Sequence, residues 1–178
     1  SETVNFQHLS LNSMFPQITI NGLYQDESGV LWIGTKDGVK KYNGNYIESV
    51  NFMGINNWIQ SNLVPTICGD KKGHLYVNTD YSIIEYDLIK EESRIIFSQP
   101  NTQILPSIAF NYGINSLWIG LLDSVYNYKE GICQAKYKID SNNLSISSLK
   151  EASDKMLYIG TKHDGDFPST HQAGSRKY

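Results

Sequence analysis

The chain has 178 residues, of which 40% are hydrophobic and 12% aromatic, and its formal net charge is −3. This apolar content suffices for one sizeable core or for several small repeated ones. The balance lacks the basic face that nucleic-acid binding usually needs. The only cysteines, Cys68 and Cys133, make neither a disulfide framework nor a four-ligand zinc site.

The first clear element in chain order is a hairpin at residues 26–42. Its opening turn, Asp26-Glu27-Ser28-Gly29, suits a tight reversal, because Asp bonds its own backbone and Gly accepts positive φ. An apolar strand with Trp32 near its middle follows. Asp37-Gly38 then separates it from the next apolar run, which is a second turn signal. The lysines between positions 36 and 41 are interpreted as solvated side chains on this hairpin.

The hairpin strand recurs three more times along the chain. Its aromatic position is repeated at intervals of 44, 42 and 40 residues, as Trp32, Tyr76, Trp118 and Tyr158. Nine residues earlier lie apolar residues predicted to face a core, namely Leu23, Ile67, Ala109 and Leu149. Six residues earlier lie Asp26, Asp70, Tyr112 and Ala152, so the turn Asp is expected in the first two copies only. Three residues earlier lie Gly29, Gly73, Asn115 and Lys155. Gly and Asn suit a positive-φ position there.

Each repeat is predicted to form four short strands, although only two are clear in the fourth, over residues 146–151 and 156–161. The whole chain, residues 1–178, is predicted to be a single propeller segment. Its repeats span approximately residues 18–52, 64–98, 106–139 and 146–165, and a tail follows at 166–178. Four-stranded units of about 40–45 residues are the spacing of β-propeller blades. We therefore predict an all-β chain of β-propeller blades, an incomplete ring or part of a larger one. A sandwich of hairpins is the competing fold, but it does not predict the long register.

The repeated aromatic residues are predicted to pack blade against blade, because a four-stranded sheet cannot cover its own two apolar faces. A ligand-stacking role is the alternative. Cys68, on a predicted inner strand, is interpreted as a small buried hydrophobe.

Residues 25–44, from the turn at Asp26 through the strand of Trp32 to Asn43-Gly44, resemble the two-component regulator propeller repeat. Residues 6–10 are similar to the segment that commonly opens sensor domains built of such repeats. The first repeat is the specific match, and weaker copies extend the resemblance to about residue 165.

The resemblance implies a sensory module of a hybrid two-component system, placed in the periplasm as the extracytoplasmic part of an inner-membrane sensor. It implies a segment that is not an enzyme, attachment to the membrane only through a downstream span, and a kinase elsewhere in the full-length protein. The implied ligand is a glycan-derived oligosaccharide. Sensors of this family carry many more blades, so we expect a fragment or a truncated product. Exposed faces on the terminal blades would favour self-association or pairing with further blades.

Ligand sites on propellers usually lie where the second and third strands connect and where blades are linked. The candidate ligand-binding residues there are Asn57, Trp58, Gln60, Asp80, Tyr81 and Asp123. A Trp among amides offers a flat surface for a sugar ring and polar groups for its hydroxyls. The alternative is that Trp58 simply anchors its loop on the second blade.

The sequence contains no motif that indicates a metal site, a bound cofactor or a nucleophile. We therefore expect no catalytic residue, no cofactor and no metal. Two other functions stay open: a non-catalytic structural or dimerisation module, and a propeller enzyme resembling the streptogramin lyases. The enzyme would need a charged cluster at the mouth of the ring.

Overall fold

The computed structural model describes residues 19–52, 64, 66–79, 82–98, 105–139, 144–151 and 156–163. Over these ranges the chain forms three four-stranded antiparallel sheets and one two-stranded sheet, which we call blades 1 to 4. Blade 1 comprises β1 (Ile20–Gln25), β2 (Leu31–Thr35), β3 (Gly38–Tyr42) and β4 (Ile47–Val50). Blade 2 comprises β5 (Thr66–Gly69), β6 (His74–Asn78), β7 (Ser82–Asp87) and β8 (Glu92–Ser98). Blade 3 comprises β9 (Ser107–Asn111), β10 (Ser116–Leu121), β11 (Ser124–Lys129) and β12 (Ile132–Lys138). Blade 4 comprises β13 (Leu144–Glu151) and β14 (Leu157–His163).

Strands pair with their sequence neighbours in every blade, so each blade is a meander. The first and third connections of a blade consequently lie at one end of the sheet, and the second connection and the link to the next blade lie at the other. The all-β propeller fold expected from the sequence is confirmed.

The turn between the first two strands of a blade is held by an Asx side chain. In blade 1, Asp26 Oδ1 accepts hydrogen bonds from the backbone N–H groups of Ser28 (2.9 Å) and Val30 (3.0 Å). In blade 2, Asp70 Oδ1 accepts from the N–H groups of Lys72 (2.7 Å) and His74 (2.9 Å). This is the local bonding that makes Asp favourable in turns.

Blade 3 keeps this device at a different position, with an asparagine in place of the aspartate. Asn111 Oδ1 accepts a hydrogen bond from the N–H of Ile114 (3.0 Å). Trp118 pairs with Ala109 across the sheet, whereas Trp32 pairs with Tyr24, so the blade 3 turn is one residue longer. Tyr112 is therefore not the counterpart of Asp26. For the same reason Ala109 lies on the same face of its sheet as Trp118, whereas Leu23, aligned with it in blade 1, lies on the face opposite Trp32.

Hydrophobic clusters lie between successive blades and contain the repeated aromatic residues. Trp32 contacts Tyr86 of blade 2 edge-on, with ring centroids 5.9 Å apart. Tyr76 stacks on Phe110 of blade 3, with centroids 5.7 Å apart. Trp118 is buried in a third cluster with residues of blade 4. The predicted blade-packing role is confirmed for these three aromatic residues.

The position two residues after the aromatic lets the next blade approach closely. A Cβ added to Gly34 would lie 2.9 Å from Val64 Cγ1, and one added to Gly120 would lie 2.6 Å from Ile146 Cγ2. Blade 2 has Asn78 at this position, and its amide donates to the carbonyl of Pro106. A close contact at a glycine or a side-chain hydrogen bond thus joins each of these three blades to the next.

The face of blade 1 that points away from blade 2 carries exposed apolar side chains. Leu23 is 55% exposed and Ile20 47% exposed. The corresponding residue of blade 2, Ile67, is only 4% exposed because it packs on blade 1. Leu23 is able to face a core, but within the described residues it faces none, since no described blade precedes it.

Candidate functional site

Of the candidate ligand residues predicted from the sequence, only Asp123 lies within the described part of the chain. Asn57, Trp58, Gln60, Asp80 and Tyr81 lie outside it, so their proximity to one another stays a prediction.

Asp123 lies in the turn between β10 and β11, where its contacts hold the link between blades 3 and 4. Ser124 Oγ donates to its Oδ1 (2.8 Å), and Lys138 Nζ lies 3.3 Å from its Oδ2. The Ser124 hydrogen bond, and then Lys138, lower the pKa of the carboxyl. The Asp123 carbonyl also accepts the N–H of Ile139 (2.7 Å).

A cavity of about 570 Å³, which we call the first cleft, lies between blades 1 and 2 at the end that carries the first and third connections. Trp32 and Tyr86 lie on its inner side, and Tyr46, 52% exposed, lies at its edge. The first cleft is thus at the opposite end of the blades from Asp123. Its volume falls within the range of about 300–1,000 Å³ usual for small-molecule sites.

Charged side chains of both signs line the first cleft. Lys41 and Glu48 form an ion pair across β3 and β4, with Nζ and Oε1 2.7 Å apart, and this hydrogen bond raises the pKa of Lys41. Glu27, Lys72 and Glu91 also line the cavity. The arrangement offers flat aromatic surfaces together with donors and acceptors, which suits a ring-shaped polar ligand.

The Trp32 ring is fixed in the first cleft by its own turn. Its Nε1 donates to Asp26 Oδ2 at 2.8 Å. Burial by itself would raise the pKa of Asp26, but hydrogen bonds from Ser28, Trp32 and Val30 lower it overall. Asp26 is therefore a carboxylate that links the turn to the aromatic wall of the cleft.

The second cleft, between blades 2 and 3, occupies the equivalent place but encloses only about 170 Å³. Arg94 of β8 donates to Glu85 Oε1 through Nε (2.7 Å) and to the Tyr128 hydroxyl of blade 3 through Nη2 (2.9 Å). The Tyr128 hydroxyl in turn donates to Glu85 Oε2 (3.3 Å). The protein's own side chains thus bridge the two blades in the second cleft.

Two further observations concern the kind of site present. Among the described residues, no group of three or more His, Cys, Asp and Glu side chains is arranged to hold a metal ion. The described ranges also contain no helix with the length and apolar character needed to cross a membrane.

A comparison with models of protein families matches residues 14–37 to the two-component regulator propeller. The chain carries a two-component regulator propeller repeat. The family resemblance inferred from the sequence is thereby confirmed. Among curated proteins, no sequence matches the chain.

Solved structures that share the propeller fold include two extracellular domains from B. thetaiotaomicron, both described as belonging to hybrid two component systems. The BT4673 domain has a TM-score of 0.63 at 20% identity, covering 88% of this chain and 22% of that one. The BT3049 domain has a TM-score of 0.65 at 19% identity, covering 90% of this chain and 23% of that one. Virginiamycin B lyase from Staphylococcus aureus has a TM-score of 0.62 at 15% identity, covering 79% of this chain and 48% of that one.

These similarities establish the fold of the propeller repeats. The chain spans from about a fifth to about half of the length of these three proteins. Its fold resembles part of the extracellular domains of these hybrid two component systems, and its sequence identity to the lyase is lower.

Reasoning from the propeller repeat's sequence missed the first cleft. The repeat predicts blade packing for Trp32, with ligand stacking as the alternative, and solvent exposure for the nearby lysines. The cleft could have been recognised from the strand register of blade 1, in which Trp32 pairs with Lys41 and Lys41 pairs with Glu48. Residues paired across an antiparallel sheet share one face, so these three side chains must project together toward blade 2.

Proposed function

We propose that this chain is part of the extracytoplasmic, periplasmic sensor region of a two-component signalling protein, and that it recognises a glycan-derived oligosaccharide. The observation that carries the proposal is the two-component regulator propeller repeat at residues 14–37. The propeller fold, shared with extracellular domains of hybrid two component systems, supports it. In this proposal the segment binds its ligand without transforming it, and a kinase elsewhere in the full-length protein transmits the signal.

The first cleft is the place where we propose that the saccharide binds. It combines exposed and partly buried aromatic rings with charged hydrogen-bonding groups, as recognition of a sugar requires. The predicted site at the opposite end, with Trp58 and Asp123, is the second candidate location.

The proposal is tested by titrating the chain with a panel of neutral, acidic and basic oligosaccharides and measuring the heat of binding by calorimetry. Binding of at least one saccharide is expected, and binding of none by the folded chain would contradict the proposal. Tyr46→Ala and Trp58→Ala variants then locate the site. Loss of binding in Tyr46→Ala alone assigns the first cleft, because Tyr46 lies at its edge and is otherwise exposed.

A structural or dimerisation module is the second function that an observation favours. Leu23 and Ile20 expose apolar surface on the face of blade 1 where a preceding blade would pack. We propose that this face pairs with a further blade or with a second copy of the chain. Light scattering is expected to show association that weakens in Leu23→Lys. A monomer at high concentration would contradict self-association.

A further inference from the structure

The first and second clefts are built from equivalent positions of successive repeats. Each has an aromatic residue on the second strand, a charged pair across the third and fourth strands, and a tyrosine from the next blade. The pair is Lys41 with Glu48 in the first cleft and Glu85 with Arg94 in the second, so its signs are reversed. The two clefts can therefore be compared group by group.

Beside the first cleft, blades 1 and 2 are joined by the Tyr24 hydroxyl, which donates to Glu27 Oε1 (3.0 Å) and accepts the N–H of Lys71 (3.2 Å). The second cleft contains a different polar bridge, whose equivalent the first cleft lacks among the described residues. Arg94 reaches across the blade boundary to the hydroxyl of Tyr128. In the first cleft, Lys41 and Glu48 satisfy each other within blade 1. The equivalent hydroxyl, on Tyr86, makes no hydrogen bond to another described residue. The space that Arg94 fills in the second cleft is open in the first, which accounts for the larger cavity.

The first cleft also has an excess of negative charge. Four carboxylates line it, from Asp26, Glu27, Glu48 and Glu91. Only two ammonium groups do so, from Lys41 and Lys72. Glu48 is paired with Lys41, and Lys72 Nζ donates to Asn115 of blade 3 (3.3 Å). Glu91 makes no hydrogen bond or ion pair with another described residue. It nevertheless lies close enough to help raise the pKa values of Tyr86 and Lys41.

We propose that the first cleft binds a saccharide carrying a free amine, with its ammonium group between Glu91 and the aromatic rings. The ammonium complements the uncommitted carboxylate and lies against the faces of aromatic rings, which attract cations. The sugar hydroxyls reach the Tyr86 hydroxyl and the Lys41–Glu48 pair. The ligand then makes the connection between blades 1 and 2 that Arg94 and Tyr128 make between blades 2 and 3. This inference rests on the proposed function in taking the ligand to be a saccharide.

The test compares three β-1,4-linked disaccharides that differ only at the second carbon of each ring: cellobiose, its N-acetylated amino counterpart and the free diamine. Calorimetry on the complete chain, at a pH where the amine is protonated, is expected to give about fivefold to tenfold tighter binding for the amine. Glu91→Gln should abolish that preference by weakening binding of the amine about fivefold to tenfold. Glu130→Gln, the same change at a residue lining the second cleft, should leave all three affinities unchanged.

Each outcome separates this inference from the proposed function. Equal affinity for the amine and cellobiose, or an amine preference that survives in Glu91→Gln, overturns the inference and leaves the saccharide sensor standing. Binding of no saccharide at all overturns both. A second readout addresses the bridge: hydrogen exchange in β3 and β4 should slow when the amine is bound. Exchange that is unchanged at saturating amine would contradict a ligand that joins the blades.

Discussion

Replacing Asp26 with Ala is expected to lower the free energy of unfolding by about 2.5–6 kcal/mol. The Asp26 carboxylate accepts four hydrogen bonds, from the Ser28 N–H and hydroxyl, the Val30 N–H and the Trp32 indole. The turn groups can rebind water, so each costs only about 0.5–1 kcal/mol. Trp32 is 4% exposed, so its unpaired indole N–H adds a desolvation cost of about 1–3 kcal/mol.

The assay is a double-mutant cycle in which Asp26→Ala, Trp32→Phe and the double variant are unfolded in urea. We expect a coupling energy of about 1–2 kcal/mol, because the indole and the carboxylate are direct partners. The matched control is the cycle of Asn111→Ala with Trp118→Phe in blade 3. The Trp118 indole N–H is buried without a partner among the described residues, so its coupling should be close to zero. Coupling of Asp26 to Trp32 below about 0.5 kcal/mol would refute the reasoning.

Three further predictions concern the charge of the turn, a blade link and a blade bridge. The lowered pKa of Asp26 means that its carboxylate stabilises the fold above about pH 4 and that this contribution is lost as the pH falls through the folded-state value. Urea unfolding of wild type and Asp26→Asn should therefore converge in acid, and a stability difference that grows there would contradict the sign. Gly120→Ala should destabilise the chain by about 1–3 kcal/mol in the same assay, because its methyl group would overlap β13 side chains; a neutral effect would contradict the close approach. Tyr128→Phe should cost about 0.5–1.5 kcal/mol through its bond to Arg94, whereas Tyr86→Phe should be neutral, and equal effects would contradict the difference between the clefts.

Most of the fold could be predicted from the sequence because each blade repeats the same local chemistry. The turn at Asp26 and Gly29, with φ of +88° at the glycine, is specified by residues a few positions apart. The extra residue in the blade 3 turn could not be recognised in the same way. Tyr112 occupies the aligned position there and conceals Asn111, which has the same function one residue earlier.

The first cleft could not be predicted from the repeat, because the repeat is common to all blades and the cleft depends on their differences. A short Glu48 at the position of Arg94 leaves a cavity where the longer side chain would close one. The sequence shows both residues, but their consequence depends on how far each reaches across a blade boundary. That distance is set by the packing of two sheets, which no local pattern encodes.

At the two interfaces that contain a cleft, an apolar packing layer lies next to a polar layer, and the aromatic residues belong to both. The second strands hold neighbouring blades together through buried residues such as Trp32 and Tyr76, while the paired third and fourth strands place polar side chains outside that layer. Where the first interface has the Lys41–Glu48 pair, the second has Glu85–Arg94, with reversed charges and a smaller cavity. Both interfaces nevertheless contain an apolar cluster. A propeller built this way can therefore change the ligand specificity of one interface without giving up the contacts that hold its blades together.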